Sequence, residues 1–205
     1  MARVTAERVE QTKLQLLEAA RLVLTAEGYA GLSTRRVAEA AGTQMSQIQY
    51  HFGSKEGMIL ALFERMNAEL IARQKQTFEN PELSLSQKWF LACDYLEEDI
   101  TSGYVRVMQE LIAAGWSNPK IGSSLKNATS QWQTLLADLA RSAAEQHKTL
   151  GPFTAENIAV LVACAFLGAE ALLLLGVERG DYDPHDALRR VGEMIEALET
   201  KQGEV

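Results

Sequence analysis

Between Ser33 and Met58 the chain reads STRRVAEAAGTQMSQIQYHFGSKEGM. Two helix-sized segments are separated only by Ala41-Gly42-Thr43, and a third is opened by Ser54-Lys55-Glu56. Ser33 is a suitable cap for the first segment, whose Val37 and Ala38 face inward, and Gly42 ends it. The second covers about Gln44 to His51. Ser54 caps the third, with Glu56 favouring the helix dipole in its first turn. Two short helices across so tight a turn are the outline of a helix-turn-helix, whose second helix suits a DNA major groove.

The remaining pattern is helical throughout. Val9, Leu16, Leu17, Ala20, Val23 and Leu24 recur near helical spacing ahead of Gly28, a natural stop. A helix from Ser54 to about Gln76 joins head to body, and Asn80-Pro81 breaks the chain. Ser84-Leu85-Ser86-Gln87 is a capping-box pattern opening a helix to about Asp99. Gly103 precedes another, roughly Tyr104 to Trp116. Asn118-Pro119 supplies a cap followed by proline and starts a long helix to about Lys148. Phe153, Thr154 and Ile158 fit a hydrophobic staple around a threonine cap, opening a helix to about Glu178. Asp183-Pro184 opens the last, to about Glu199. No strand-like alternation and no internal repeat competes with this. The expected fold is all-α, about nine helices: a three-helix head over residues 1–53 and a helical body over residues 54–205.

The net charge of −7 is unusual for a DNA binder, but it is unevenly distributed. Residues 1–60 carry seven Lys/Arg against six Glu, so +1, and the rest of the chain carries −8. Only the head can approach phosphates without strong repulsion, and +1 predicts a modest salt dependence. No signal peptide pattern follows Met1, so a cytoplasmic protein is expected. Cys93 and Cys164 lie in apolar helical patterns and read as reduced core thiols, and the three histidines form no ligand cluster. No metal or cofactor is expected. No nucleophile elbow, phosphate loop or carboxylate pair is present, which argues against an enzyme.

From Ile158 to Val177 only Glu170 is charged. The length is borderline for a membrane span, but Gly168, Glu170 and the many alanines suit lipid poorly. A helix apolar on all sides is buried on all sides, which suggests one face on the core and another on a partner chain.

The words Leu17-Glu18-Ala19-Ala20, Gly28-Tyr29, Leu32-Ser33-Thr34, Val37-Ala38-Glu39-Ala40-Ala41-Gly42 and Tyr50-His51-Phe52-Gly53-Ser54-Lys55-Glu56 stand in order at specific spacings. Over about residues 10–60 the chain resembles the TetR family of bacterial regulators; beyond that the likeness is architectural. The resemblance implies that Thr34 and Lys55 contact phosphate at two helix starts, where free N–H groups suit an anion. It implies that Arg35 reads a guanine, whose two major-groove acceptors fit an arginine fork. Met45, Ser46 and Gln47 open the recognition helix. Gln47 has the geometry to pair with adenine and Met45 to touch a thymine methyl. Tyr50 and His51 match positions facing the DNA backbone. For Tyr50 the alternative is stacking on the first helix, and for His51 a packed or capping role. Arg36 reads equally as a solvated charge or a phosphate contact, whereas Val37, Ala38, Ile48 and Phe52 read as core. Two positions depart from the family pattern. Gln49 replaces a tyrosine that touches phosphate, and Gln44 replaces a serine cap, at about 1 kcal/mol of helix-start stability unless Thr43 compensates.

The body is rich in aromatics, each of which reads as core or as ligand wall. The resemblance favours a cavity walled by Trp89, Met108, Trp116, Trp132 and Phe166. Glu170 has three readings: a ligand anchor, a bond across a dimer, or a solvent-facing charge. The last two helices are the expected homodimer surface, through Ala159, Ala163, Leu172, Leu188, Val191 and Ile195, with burial inside one subunit as the alternative. The resulting expectation is a homodimeric repressor on a palindromic operator in double-stranded DNA, released by an unidentified small-molecule effector. An activator would use the same residues, and a helical carrier without DNA binding would lack the head.

Overall fold

The computed structural model describes residues 2–147, 151–177 and 182–203. Among these residues the fold is all-α, with nine helices: α1 (Ala2–Gly31), α2 (Thr34–Ala40), α3 (Met45–Phe52), α4 (Lys55–Phe78), α5 (Leu85–Ser102), α6 (Tyr104–Gly115), α7 (Pro119–His147), α8 (Ala155–Leu174) and α9 (Pro184–Gly203). The chain divides into two compact units, residues 1–68 with 103–126 and residues 69–102 with 127–205.

Most helix starts are set by the cap residues named above. Ser33 accepts from the Arg36 amide at 3.2 Å, and Ser54 from the Gly57 amide at 2.9 Å. Ser84 and Gln87 close a reciprocal box, and Thr154 does so with Asn157. Asn118 and Asp183 cap with their carboxamide and carboxylate oxygens. Each side chain satisfies an amide that the first turn leaves without a partner. Phe153, the outer half of the expected staple, stays 48% exposed.

Helix ends follow the expectation less closely, because no comparable side-chain chemistry marks them. The helix α1 is interrupted at Gly28 (φ 72, ψ 177), yet one more turn continues to Gly31. The helix α8 stops at Leu174, where Gly176 takes a positive φ of 80, earlier than the expected Glu178, which lies outside the described residues.

In the first unit, Leu16, Leu24, Leu32, Val37, Ile48, Met58, Ile59 and Phe63 are almost completely buried, together with Val105, Val107 and Leu111 of α6. Phe52 is only half-buried. Helix α6 packs on α1, so it clusters with the head although the sequence reading placed it in the body. Tyr104 stacks on Phe63 (6.4 Å between ring centres) and donates its hydroxyl to Asn67 at 3.2 Å.

In the second unit α9 packs along α5 and against α8. Both ends of α9 are tied down. The Trp89 indole donates to the Leu188 carbonyl at 2.7 Å, Arg189 pairs with Asp94 at 2.6 Å, and Glu199 accepts from the Leu85 amide at 2.8 Å. Between these ties, Gly192 lets Phe90 approach: a Cβ there would lie 2.5 Å from the ring. Within the same unit the Arg73 guanidinium bonds Asp99 at 2.7 Å and lies over the Tyr95 ring.

Candidate functional site

The nine head residues singled out above fall into three places. Met45, Ser46, Gln49 and Tyr50 are exposed on one strip of α3, at the spacing that aligns side chains on a helix face. Met45 is 54% and Tyr50 72% exposed, whereas Ile48 on the opposite side is 1% exposed. Gln47 and His51 flank the strip half-buried, and the Tyr50 and His51 rings meet edge-on at 4.9 Å. Thr34 and Arg35 stand at the start of α2, and Lys55 at the start of α4. Gln44 makes no side-chain cap, so the first amides of α3 lack the usual side-chain acceptor.

The charged groups beside the strip are already engaged. Arg35, 80% exposed, bonds Glu39 at 2.9 Å. Arg36 pairs with Glu27 and lies 3.6 Å from Glu39, which favours its reading as a structural charge. These arginines hold the Glu27 and Glu39 carboxyls below the ordinary range, chiefly through side-chain hydrogen bonds. Lys55 reaches the Tyr29 carbonyl at 3.4 Å and sits 4.9 Å from the centre of its ring. Burial raises the Tyr29 hydroxyl pKa, with Glu56 adding to the shift.

Two further residues position this strip, and the sequence reading missed both. Gly57 allows α4 to start against the end of α3, since a Cβ there would stand 2.2 Å from the Phe52 carbonyl oxygen. The Gly53-Ser54-Lys55-Glu56-Gly57 run is the only sequence trace of that close approach. Glu110 of α6 accepts from the Tyr29 amide at 3.0 Å, just past the Gly28 break, while pairing with Arg106 at 2.7 Å. Nothing local in the sequence signals a contact across so many residues.

The second unit holds a cavity of about 130 Å³ whose described lining is entirely apolar. Trp89 and Trp132 each meet Phe166 edge-on at 5.7 Å, and Phe78, Leu136, Ile158 and Ile195 are among its other walls. The Trp132 indole N–H is buried without an acceptor. An open groove of about 810 Å³ adjoins the cavity and shares Phe78, Leu85, Leu139 and Ala143 with it.

Three of the five expected wall residues therefore converge, and two do not. Met108 is buried in the core of the other unit at 7% exposure. Trp116 follows the last turn of α6 at 83% exposure. Glu170 is half-buried on α8 and is not part of the cavity wall.

The expected dimer residues also separate. Ala155, Ala159, Ala163, Phe166 and Ala169 form the buried face of α8, so Ala159 and Ala163 belong to the subunit's own core. Leu188 is 6% exposed, Ile195 lines the cavity, and Val191 is half-buried. Only Leu172, at 44%, is open to solvent; Val160 and Leu161 on α8, Leu175 capping its end, and Met194 and Leu198 on α9 are exposed apolar side chains as well. Cys164 is exposed on α8 and so is not a core thiol, whereas Cys93 is buried and its thiol is pushed up to about 11 by burial. By length and composition α8 is long and apolar enough to cross a membrane.

Residues 16–62 match the family described as "Bacterial regulatory proteins, tetR family". The chain is 25% identical over 124 residues to the HTH-type transcriptional regulator UidR of Escherichia coli, an alignment covering 58% of this chain and 59% of UidR. Its fold is similar to that of a TetR-family transcriptional regulator from Agrobacterium tumefaciens (TM-score 0.76, 18% identity, 92% of this chain and 98% of that one). It is also similar to the regulator FadR of Bacillus subtilis in complex with stearoyl-CoA (TM-score 0.74, 16% identity, 89% and 96%). The matched segment runs from the core of α1, through the exposed strip on α3, into α4: residues 16–62 carry the DNA-binding segment shared by the tetR family of bacterial regulatory proteins, and the rest of the chain is similar in fold to regulators of that family.

Proposed function

We propose that the protein is a homodimeric repressor that binds a palindromic operator in the cytoplasm and is released by a small molecule held in its second unit. The observation that carries this is the exposed strip Met45, Ser46, Gln49 and Tyr50 on α3, flanked by Thr34-Arg35 and Lys55 at two helix starts. On DNA, Gln47 and Met45 read base edges, Arg35 exchanges Glu39 for a guanine, and Thr34, Gln49, Tyr50, His51 and Lys55 bind the backbone. The exposed apolar face of α8 and α9 pairs with its copy, which spaces two heads about 34–36 Å apart, one duplex turn.

The apolar cavity supports a ligand-responsive mode, as does the stearoyl-CoA complex of FadR, a protein of similar fold. A ligand that prefers the conformation with mismatched heads shifts the population off DNA, and operator DNA must weaken ligand binding by the same factor. The test is selection from a randomised duplex pool at low ionic strength, followed by gel shifts on the enriched sequence. Enrichment of a palindrome bound by a dimer is expected; failure to enrich any sequence sinks the reading.

A further inference from the structure

We infer that the second unit holds a small amphipathic carboxylate, its hydrocarbon end in the apolar cavity and its carboxylate on Lys88. This rests on the reading of that unit as the effector domain. The cavity sets the size of the apolar end. An apolar cavity of about 150 Å³ stays dry and takes up benzene, so one of about 130 Å³ suits a single ring or a chain of roughly six to eight carbons. The one unpartnered polar atom of the described lining is the Trp132 indole N–H, a neutral donor, so the cavity itself holds no cation to match a carboxylate.

The adjoining groove supplies the head's partner. Lys88 is the only cationic residue among its described lining, it is half-buried, and it follows the shared wall residue Leu85 by one helical turn. It has no acidic partner among the described residues, and burial lowers its pKa. A partly desolvated ammonium without a counter-ion is costly, and an anion beside it removes that cost. The carboxylates of the groove compete little for it. Asp138 is bound by Arg141 at 2.6 Å, Glu79 lies 3.6 Å from Lys75, and Glu199 accepts from the Leu85 amide and the Ser86 hydroxyl. Glu82 remains, exposed to solvent. A carboxylate at Lys88 thus sits over the shared residues Phe78, Leu85, Leu139 and Ala143, with its chain passing between them.

The test titrates the full-length protein, without DNA, with octanoate, octanol and octylamine, which share a chain and differ in head charge. Calorimetry should give octanoate the tightest binding, by about tenfold over either other compound. Lys88→Gln should abolish that preference while leaving octanol affinity unchanged, and Lys88→Arg should keep it. Ala140→Phe, which fills the cavity, should remove all three, with melting curves confirming that each variant is folded. Octylamine binding as tightly as octanoate, an octanoate affinity unmoved by Lys88→Gln, or no binding by any of the three overturns the proposal. A parallel gel shift separates this from the regulatory reading. Lys88-dependent octanoate binding that leaves operator affinity unchanged overturns release by ligand and not the carboxylate site.

Discussion

Arg35 is exposed, and it already bonds Glu39. Exposed pairs of this kind contribute about 0–1 kcal/mol, so exchanging the carboxylate for a guanine costs little. Arg35→Ala should therefore lose about 1–3 kcal/mol at one base position and little elsewhere, read by gel shift on single-base operator variants. Equal loss on every variant refutes base reading by Arg35. Lys55→Ala should instead weaken all sequences alike and lower the salt slope by about 1, as the proposed phosphate contact requires. The two cysteines also part at this scale. Cys164, one helical turn from the exposed Val160 and Leu161, should react with a thiol reagent at neutral pH in a monomeric variant, and Cys93 should not. Because folding raises the Cys93 pKa from 9.0 to about 11, its thiol adds stability below pH 9 that is lost as pH rises to about 11. Denaturation curves across that range should show a fall that Cys93→Ala lacks.

At the scale of the element, glycines decide how closely helices meet. Gly57→Ala would drive a Cβ into the Phe52 carbonyl, a backbone atom that cannot rotate away. It should cost more than the usual ~1–3 kcal/mol of overpacking and disturb the join of α3 to α4. Gly192→Ala meets the Phe90 ring, which is only half-buried and can shift, so a cost of about 1–2 kcal/mol is expected. Urea denaturation ranks the two, and the reverse order contradicts the packing argument. Helix starts were readable in advance because a cap is local chemistry: Ser33, Ser54, Ser84, Asn118, Thr154 and Asp183 each bond amides two or three positions on. The division of the α8 alanines was not readable, since both faces of that helix are apolar and periodicity cannot rank them.

For the whole molecule, the proposed dimer rests on the exposed apolar side chains of α8 and α9. Leu161→Glu with Leu172→Glu should leave the helical content intact, give a monomer by sedimentation, and lose most operator affinity. Ala159→Glu, which buries a charge inside the subunit, should unfold the second unit instead. A Leu161/Leu172 variant that remains a dimer moves the interface elsewhere.

Taken alone, the amino-acid order determined the all-helical class, the helix starts and the strip of α3 aimed at solvent, because caps and periodicity act over a few residues. Tertiary structure alone decided which aromatics share a cavity, which alanines lie inside the subunit, and that Glu110 holds the Tyr29 amide. Those outcomes depend on contacts between residues far apart in sequence, where side-chain type is compatible with several partners and only the packed chain selects one.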